Sequence, residues 1–232
     1  MKIPRIIFQT HKSQDYVNSY QVLRVAQETW KNLEGFEYRF FDDEAMDRFM
    51  YDHFDDKIVE TYNRCPIPVM KADIWRYCVI YVHGGIYADA DLVYKNNIHK
   101  ILQEDVLLVL GPETKTEFCQ WIFAAPPRSP LLKSVIELIV ERFEKMPIIK
   151  GVHVVHYLTG PTVFTHGIQK WLQEHDYPTY NTDLMQYLDT PILVLGMLRP
   201  EDVNSLDQFV MHMYASTWVD DGWVKQRDRL FL

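Results

Sequence analysis

Several features that would point directly to a function are missing from this sequence of 232 residues. It contains neither a Walker loop nor a GxGxxG fingerprint, which argues against ordinary P-loop and dinucleotide-binding proteins. Its three cysteines, Cys65, Cys78 and Cys119, lack CxxC or His-rich spacing, so we expect buried thiols in a reducing compartment and no zinc site. Gly/Ser linkers, low-complexity tracts and internal repeats are also missing. The sequence therefore predicts a single domain over residues 1–232.

Long apolar runs and an excess of basic residues are missing as well. The chain has no signal-peptide pattern at its start and no apolar stretch of roughly 18 residues, which predicts a soluble, cytoplasmic protein with no membrane span. With 24 Lys and Arg against 32 Asp and Glu, the formal net charge is −8, and we expect no nucleic-acid partner. An acidic enzyme can still bind a phosphorylated ligand if a divalent cation bridges its carboxylates and the phosphate.

What the sequence does contain is material for a packed core, because 47% of its residues are hydrophobic and 14% are aromatic. Five segments are predicted to be strands: 3–8, 36–41, 86–94, 106–110 and 118–125. The stretches between and after them are predicted to be helices: 16–33, a short helix after residue 42, 66–82, 130–143 and one that begins at residue 161. This order of elements predicts an α/β fold, with a mostly parallel central sheet and helices on both faces.

Two of the charged residues in the helix predicted over residues 66–82, Asp73 and Arg76, stand among apolar residues. Because they are three residues apart, they project from one face of the helix. Burying both charges is costly unless they pair with each other or meet a polar ligand. An internal salt bridge that stabilises the helix is the simpler interpretation, and a ligand site is the alternative.

The segment that follows ends in two carboxylates, Asp89 and Asp91. In one continuous strand over residues 86–94, these side chains and Tyr87 lie on the same face, so the carboxylates converge. A pair of this kind can hold Mg²⁺ or Mn²⁺ together with phosphate oxygens, although a solvated acidic strand end has the same pattern. Gly84 and Gly85 allow a tight turn and the close approach of a ligand to the backbone, or they form an ordinary helix C-cap.

Four separated blocks of the sequence resemble glycosyltransferase family 32, the Asp-x-Asp sugar transferases that include fungal α-1,6-mannosyltransferases. The blocks are residues 3–10, 71–91, 160–161 and 212–218. The resemblance implies a GT-A fold, in which a Rossmann-like sheet binds the nucleotide. It also implies four catalytic residues: Asp89 and Asp91 contact the ribose of the donor and the metal ion, Mn²⁺ or Mg²⁺, while Asp73 and Arg76 hold the donor sugar.

The resemblance implies roles for residues outside this group of four as well. Gln9 and Thr10, at the carboxyl end of the first strand, would lie near the nucleotide, as is usual for ligands of open α/β sheets. Further donor-binding residues would be Tyr87, Gly84 and Gly85. In the last block, His212 would complete the metal shell, and Ser216 and Trp218 would close over the diphosphate.

The reaction implied by the resemblance is sugar transfer from a UDP- or GDP-sugar to a hydroxyl group of a glycan or glycoconjugate. Family 32 implies retention of the anomeric configuration, which requires no dedicated general base. An inverting enzyme would require one, and Asp220 and Asp221 are candidates from a terminal loop. Other classes remain open: a nucleotidyltransferase, a nucleotide-sugar hydrolase, or a non-catalytic carbohydrate-binding module in which Asp73 and Arg76 form a structural pair.

Overall fold

The computed structural model describes residues 2–96, 98, 102, 106–111, 116–146, 154–177, 191–194 and 210–213. The strands within these ranges are β1 (Ile6–Thr10), β2 (Glu37–Phe41), β3 (Gly85–Ala88), β4 (Leu92–Tyr94), β5 (Leu108–Leu110), β6 (Ile122–Ala125), β7 (Ile192–Val194) and β8 (Val210–His212). The helices are α1 (Gln14–Ser19), α2 (Gln21–Lys31), α3 (Asp43–His53), α4 (Asp56–Asn63), α5 (Pro68–His83), α6 (Pro130–Lys145), α7 (Val154–Leu158) and α8 (Pro161–Glu174).

Six of these strands form the central sheet, in the order β2-β1-β3-β6-β5-β7. The pairs β1 with β2, β1 with β3, and β5 with β7 are parallel. Only β6 runs against its neighbours β3 and β5 among the strands described in this sheet. A separate antiparallel pair joins β4 to β8. The predicted α/β fold with a mostly parallel sheet is therefore confirmed.

Helices pack on both faces of the central sheet. Successive residues of a strand point to opposite faces, and the two neighbours Ile7 and Phe8 of β1 accordingly belong to different hydrophobic clusters. Ile7 lies in the cluster that contains Trp30 of α2, whereas Phe8 lies in the cluster that contains Ile74 of α5. None of the helices in the described ranges has the length and apolarity needed to cross a membrane.

Helix α5 is the buried helix of the fold, and it places charged residues inside the core. Pro68 stands at its start, where a missing N–H costs nothing. Gly84 ends it with a positive φ of 65°, and the N–H of Gly84 donates to the carbonyl of Ile80 over 2.8 Å. The helix is apolar on most of its surface, which is typical of a helix surrounded by other elements. Two of its charged residues, Asp73 and Arg76, are consequently only 1% and 5% exposed.

The prediction of one continuous strand over residues 86–94 is wrong. Strand β3 ends at Ala88, and a turn follows in which the N–H of Leu92 donates to the carbonyl of Asp89 over 3.1 Å. Strand β4 then pairs with β8 instead of joining the central sheet. Alternating apolar residues are equally compatible with two strands separated by a turn, and Asp is common in turns. Asp89 and Asp91 therefore lie in a turn and do not share the face of one strand.

The other predicted element boundaries differ less from those of the structure. The predicted helix over 16–33 is divided at Tyr20 into α1 and α2, and the strands predicted to start at residues 106 and 118 begin at Leu108 and Ile122. Helix α4 was not predicted, although Asp55 is a clear N-cap whose carboxylate accepts from the N–H of Ile58 over 3.1 Å. All three cysteines are buried free thiols, as expected from their spacing.

Candidate active site

Arg76 is the centre of the candidate site, because its guanidinium contacts carboxylates on both sides. Nη2 lies 3.1 Å from Oδ1 of Asp73, one helical turn back on α5. Nη1 lies 3.4 Å from Oδ1 of Asp89, which directly follows β3. The side chains of Asp73 and Arg76 are 2% and 6% exposed, whereas that of Asp89 is 27% exposed. The three charged side chains therefore extend from the core to the end of the sheet where β1 and β3 have their carboxyl ends.

The Asp73 carboxylate is buried but has partners on both oxygens. Besides Arg76, the amide Nε2 of Gln120 donates to Oδ1 over 3.1 Å, and the hydroxyl of Thr159 donates to Oδ2 over 2.9 Å. Burial raises the pKa of Asp73 to about 7, against the opposing effect of the positive charge on Arg76. The predicted salt bridge between Asp73 and Arg76 is confirmed, and it extends into a larger hydrogen-bonded network.

Asp89 is held in place by both its main chain and its side chain. Its N–H donates to the carbonyl of Trp121 over 2.8 Å, and its own carbonyl accepts from Nε2 of Gln9 over 3.0 Å. The hydroxyl of Tyr87 donates to Oδ1 of the carboxylate, and the guanidinium of Arg76 lies 4.7 Å from the centre of the Tyr87 ring. The carboxylate therefore has a fixed direction and remains partly exposed.

Two residues at the end of β1 differ in what they contact. Gln9 is fully buried and supports Asp89, and its Oε1 accepts from the hydroxyl of Tyr38 over 2.9 Å. The hydroxyl of Thr10 donates to the carbonyl of Phe41 over 2.7 Å, which ties β1 to β2. The structure thus brings Gln9 into the candidate site, and it places Thr10 at the same edge of the sheet with its hydroxyl bonded within the protein.

Asp91 lies in the turn after Asp89, next to the C-terminal part of the chain. Its carbonyl accepts from the N–H of Met213 over 3.1 Å, and β4 pairs with β8 so that Leu92 stands opposite His212. The main chain at His212 therefore runs directly beside the turn. Ser216 and Trp218, predicted to close over the diphosphate, lie outside the described residues, and so do Asp220 and Asp221.

Gly84 and Gly85 are not part of this site, because they lie at the opposite end of β3 from Asp89. Protein atoms fill the space beside them: a Cβ at Gly84 would lie 2.6 Å from Pro127, and one at Gly85 would lie 2.6 Å from the carbonyl oxygen of Ile6. Both residues have positive φ, 65° and 111°. The packing of the backbone requires glycine at both positions, which favours a packing role over the expected approach of a ligand.

The carboxylates near Arg76 supply oxygen ligands, the type of ligand that Mg²⁺ and Mn²⁺ prefer. Within the described part of the chain, no group of three or more His, Cys, Asp or Glu side chains is arranged to hold a metal ion. Mg²⁺ and similar cations, however, are commonly bound by one or two protein carboxylates plus phosphate oxygens. Asp73 and Asp89 both contact the single guanidinium of Arg76, and Asp91 adds a further carboxylate two residues after Asp89. Asp89 and Asp91 are the residues that could hold a cation.

Sequence reasoning missed three residues of this network, namely Tyr77, Gln120 and Thr159. The hydroxyl of Tyr77 donates to Oε1 of Gln120, and the hydroxyl oxygen of Tyr77 also lies 2.9 Å from the carbonyl oxygen of Thr159. Gln120 and Thr159 come from a loop and from the junction before α8, far along the chain from Asp73. No spacing pattern links them to α5, so only the folded chain identifies them.

Three comparisons relate the chain to known proteins. A family model described as "Glycosyltransferase sugar-binding region containing DXD motif" matches residues 19–108. Initiation-specific alpha-1,6-mannosyltransferase of Schizosaccharomyces pombe is 26% identical over 259 residues, covering 94% of this chain and 64% of the relative. Inositol phosphoceramide mannosyltransferase 1 of the same organism is 25% identical over 222 residues, covering 94% and 62%. The resemblance to glycosyltransferase family 32 is confirmed.

The fold of the chain is similar to that of a solved structure. PaToxG glycosyltransferase superposes with a TM-score of 0.55 at 16% identity, and the match covers 75% of this chain and 71% of that chain. This likeness confirms the predicted GT-A fold. The prediction of an enzyme is confirmed as well, because the matched model and both relatives are glycosyltransferases. The chain spans less than two thirds of the length of the two mannosyltransferases.

Proposed function

We propose that residues 1–232 form a single catalytic domain that transfers a sugar from a nucleoside-diphosphate sugar to a hydroxyl group, with the help of a divalent metal ion. The observation that best supports this proposal is the position of Arg76. Its guanidinium joins the buried carboxylate of Asp73 to the partly exposed carboxylate of Asp89. A purely structural ion pair would need only Asp73. The second contact directs charge toward the edge of the sheet where ligands of open α/β folds bind.

In this proposal Asp73 and Arg76 bind the donor sugar. A carboxylate accepts hydrogen bonds and a guanidinium donates them, so together they can satisfy sugar hydroxyls, which do both. The pair is buried before any ligand arrives, which fixes its orientation and keeps water away from the reacting carbon. Gln9 and Thr10 would lie near the nucleotide, because β1 ends at the same edge of the sheet as Asp89.

Asp89, Asp91 and His212 would hold Mn²⁺ or Mg²⁺, with Asp89 also reaching the donor's ribose. When bound, the cation would neutralise the negative charge that develops on the departing diphosphate. The hydroxyl of Tyr87 and the guanidinium of Arg76 orient the Asp89 carboxylate for this role. The main chain at His212 is placed beside the turn by its pairing with Leu92. Ser216 and Trp218 follow His212 in the sequence and would close over the diphosphate.

We further propose a mannosyl donor carried by GDP or UDP, transferred with retention to a glycan or glycoconjugate. Both relatives are named as mannosyltransferases, and of these two names only that of inositol phosphoceramide mannosyltransferase 1 includes an acceptor. A retaining reaction requires no dedicated base, and this proposal assigns Asp73, Asp89 and Asp91 to sugar and metal binding. No residue is therefore assigned as a dedicated base.

The release of nucleoside diphosphate from a panel of GDP- and UDP-sugars tests this proposal. Native protein, Asp91→Asn and Asp52→Asn would each be assayed with Mn²⁺ and with a chelator. Asp52 is an exposed residue of α3 and provides the matched control. We expect release by the native protein and by Asp52→Asn with Mn²⁺ only, and a loss of at least about tenfold in Asp91→Asn.

The same assay separates the proposal from its alternatives. Release of pyrophosphate would indicate nucleotidyl transfer, and release that never yields a glycosylated acceptor would indicate hydrolysis. Native protein that neither turns over nor binds any nucleotide sugar would contradict the proposal and favour a carbohydrate-binding module. Full activity of Asp91→Asn would contradict the metal role of that residue.

A further inference from the structure

The carboxylate of Asp73 is fixed by two side chains that come from separate parts of the chain. Nε2 of Gln120 lies 3.1 Å from one oxygen, and Oγ1 of Thr159 lies 2.9 Å from the other. Each oxygen thus has a donor of its own in addition to Arg76. A carboxylate held at both oxygens cannot rotate freely about its last bond, so its plane is set by these two contacts.

Gln120 also fixes Arg76, and it is itself held in one orientation. Its main-chain carbonyl accepts from Nη1 of Arg76 over 3.2 Å. The hydroxyl of Tyr77 donates to Oε1 of the Gln120 amide, which leaves Nε2 directed at Asp73. Gln120 therefore contacts both members of the charged pair, one through its side chain and the other through its main chain.

Thr159 is placed beneath Asp73 by the junction between α7 and α8. The residue is fully buried, and its carbonyl oxygen lies 2.9 Å from the hydroxyl of Tyr77. The junction is tightly packed, because a Cβ at the next residue, Gly160, would lie 2.8 Å from Cα of His156. The hydroxyl of Thr159 is therefore held at a defined distance from Asp73.

We propose that Gln120 and Thr159 are positioning residues, which orient Asp73 and, through it, Arg76 for the donor sugar. The inference depends on the proposed function, because it assigns Asp73 and Arg76 to sugar binding. Without these two donors the carboxylate of Asp73 turns and its contact with Arg76 changes. Asp89 keeps its position through its contacts with Tyr87, Gln9 and the carbonyl of Trp121. The effect falls on the sugar end of the donor, while the nucleoside diphosphate still meets Asp89 and Asp91.

The substitution Thr159→Val tests the inference, because valine keeps the shape of threonine and removes only the hydroxyl. Thr159→Ser restores the hydroxyl, and Thr61→Val is the matched control. Thr61 is also a buried threonine, and its hydroxyl donates to the carbonyl of Lys57 over 2.9 Å, away from Asp73. Gln120→Met removes the other hydrogen-bond donor to Asp73. If thermal unfolding shows that Thr159→Val does not fold, Gln120→Met tests the inference in its place.

The readouts are kcat and KM for the nucleotide sugar that the native protein uses best, and the affinity for GDP or UDP alone. We expect Thr159→Val and Gln120→Met to lower kcat/KM by about 10- to 100-fold. This range is typical of residues that hydrogen-bond to a functional side chain and orient it. Affinity for the nucleoside diphosphate should stay at the native level in both. Thr159→Ser and Thr61→Val should turn over the donor as the native protein does.

Three results would overturn the inference. Native kcat/KM in Thr159→Val and Gln120→Met would show that the orientation of Asp73 does not depend on these donors, while the proposed function would stand. An equal loss of diphosphate affinity and sugar turnover would reveal a general structural role. A native protein without turnover of any nucleotide sugar would remove the proposed function, and the inference with it.

Discussion

Nη1 of Arg76 lies 3.4 Å from Oδ1 of Asp89, so a residue buried on a helix contacts a carboxylate at the open edge of the sheet. Arginine can make this connection because its planar guanidinium presents several donors in a fixed geometry. The other end of the same group contacts Asp73 in the core. Any change in how α5 packs is therefore transmitted to the carboxylate that we assign to metal and donor binding.

Arg76→Ala should lower the free energy of unfolding by about 3–5 kcal/mol at about pH 8, because Asp73 would remain as a buried charge without its partner. Lys133→Ala is the control. Lys133 and Glu137 lie 3.6 Å apart on α6 with side chains that are each 60% exposed, and such a pair contributes only about 0–1 kcal/mol. Urea denaturation of both variants measures the difference. Similar small losses in both would show that Asp73 does not need Arg76 for stability.

The pH dependence of unfolding should carry a contribution from Asp73. Burial raises its pKa to about 7, above the ordinary value near 3.8 that applies in the unfolded chain. Between these values the folded state holds a proton that the unfolded state has lost, so the contribution of this residue to stability falls as pH rises from 4 toward 7. Denaturation of native protein and Asp73→Asn across this window isolates the effect. Parallel curves for the two proteins would contradict the raised pKa.

Much of the fold followed from the sequence because its main elements have strong local signals. Helix α5 is a long, mostly apolar segment that begins with Pro68 and ends at Gly84, and β1 and β2 overlap two short segments rich in β-branched and aromatic residues. The turn at Asp89 did not follow, because alternating residues look the same in one strand and in two. The division shows only in the pairing of β4 with β8, a contact between distant parts of the chain.

The sequence predicts those residues of the candidate site that lie close together along the chain. Asp73, Arg76 and Asp89 were found because they lie close together in sequence, in an apolar setting where charges stand out. Gln120 and Thr159 are ordinary polar residues in a loop and at a helix junction, and only folding brings them to Asp73. Gly84 and Gly85 were assigned to the donor site because a glycine required by packing and a glycine required by a ligand look alike in sequence.

Gly85→Ala tests the packing role of this glycine. The substitution should destabilise the protein by about 1–3 kcal/mol, since φ is 111° and the added Cβ would meet the carbonyl oxygen of Ile6 at 2.6 Å. Gly35→Ala is a milder control, because φ is 77° but the nearest atom is the flexible guanidinium end of Arg5 at 3.4 Å. Thermal unfolding gives the stability of each variant. Loss of nucleotide affinity by folded Gly85→Ala would instead favour a ligand role.

The most direct test of the account is the affinity of native protein and Asp89→Asn for GDP and UDP, measured by calorimetry with Mn²⁺ and with a chelator. If Asp89 and Asp91 form a metal-dependent diphosphate site, Mn²⁺ should tighten binding of one nucleotide to the native protein by at least about tenfold. Asp89→Asn should abolish that gain while keeping its folded structure. Equal affinities with Mn²⁺ and with chelator in the native protein, or an undiminished gain in Asp89→Asn, would contradict the central claim.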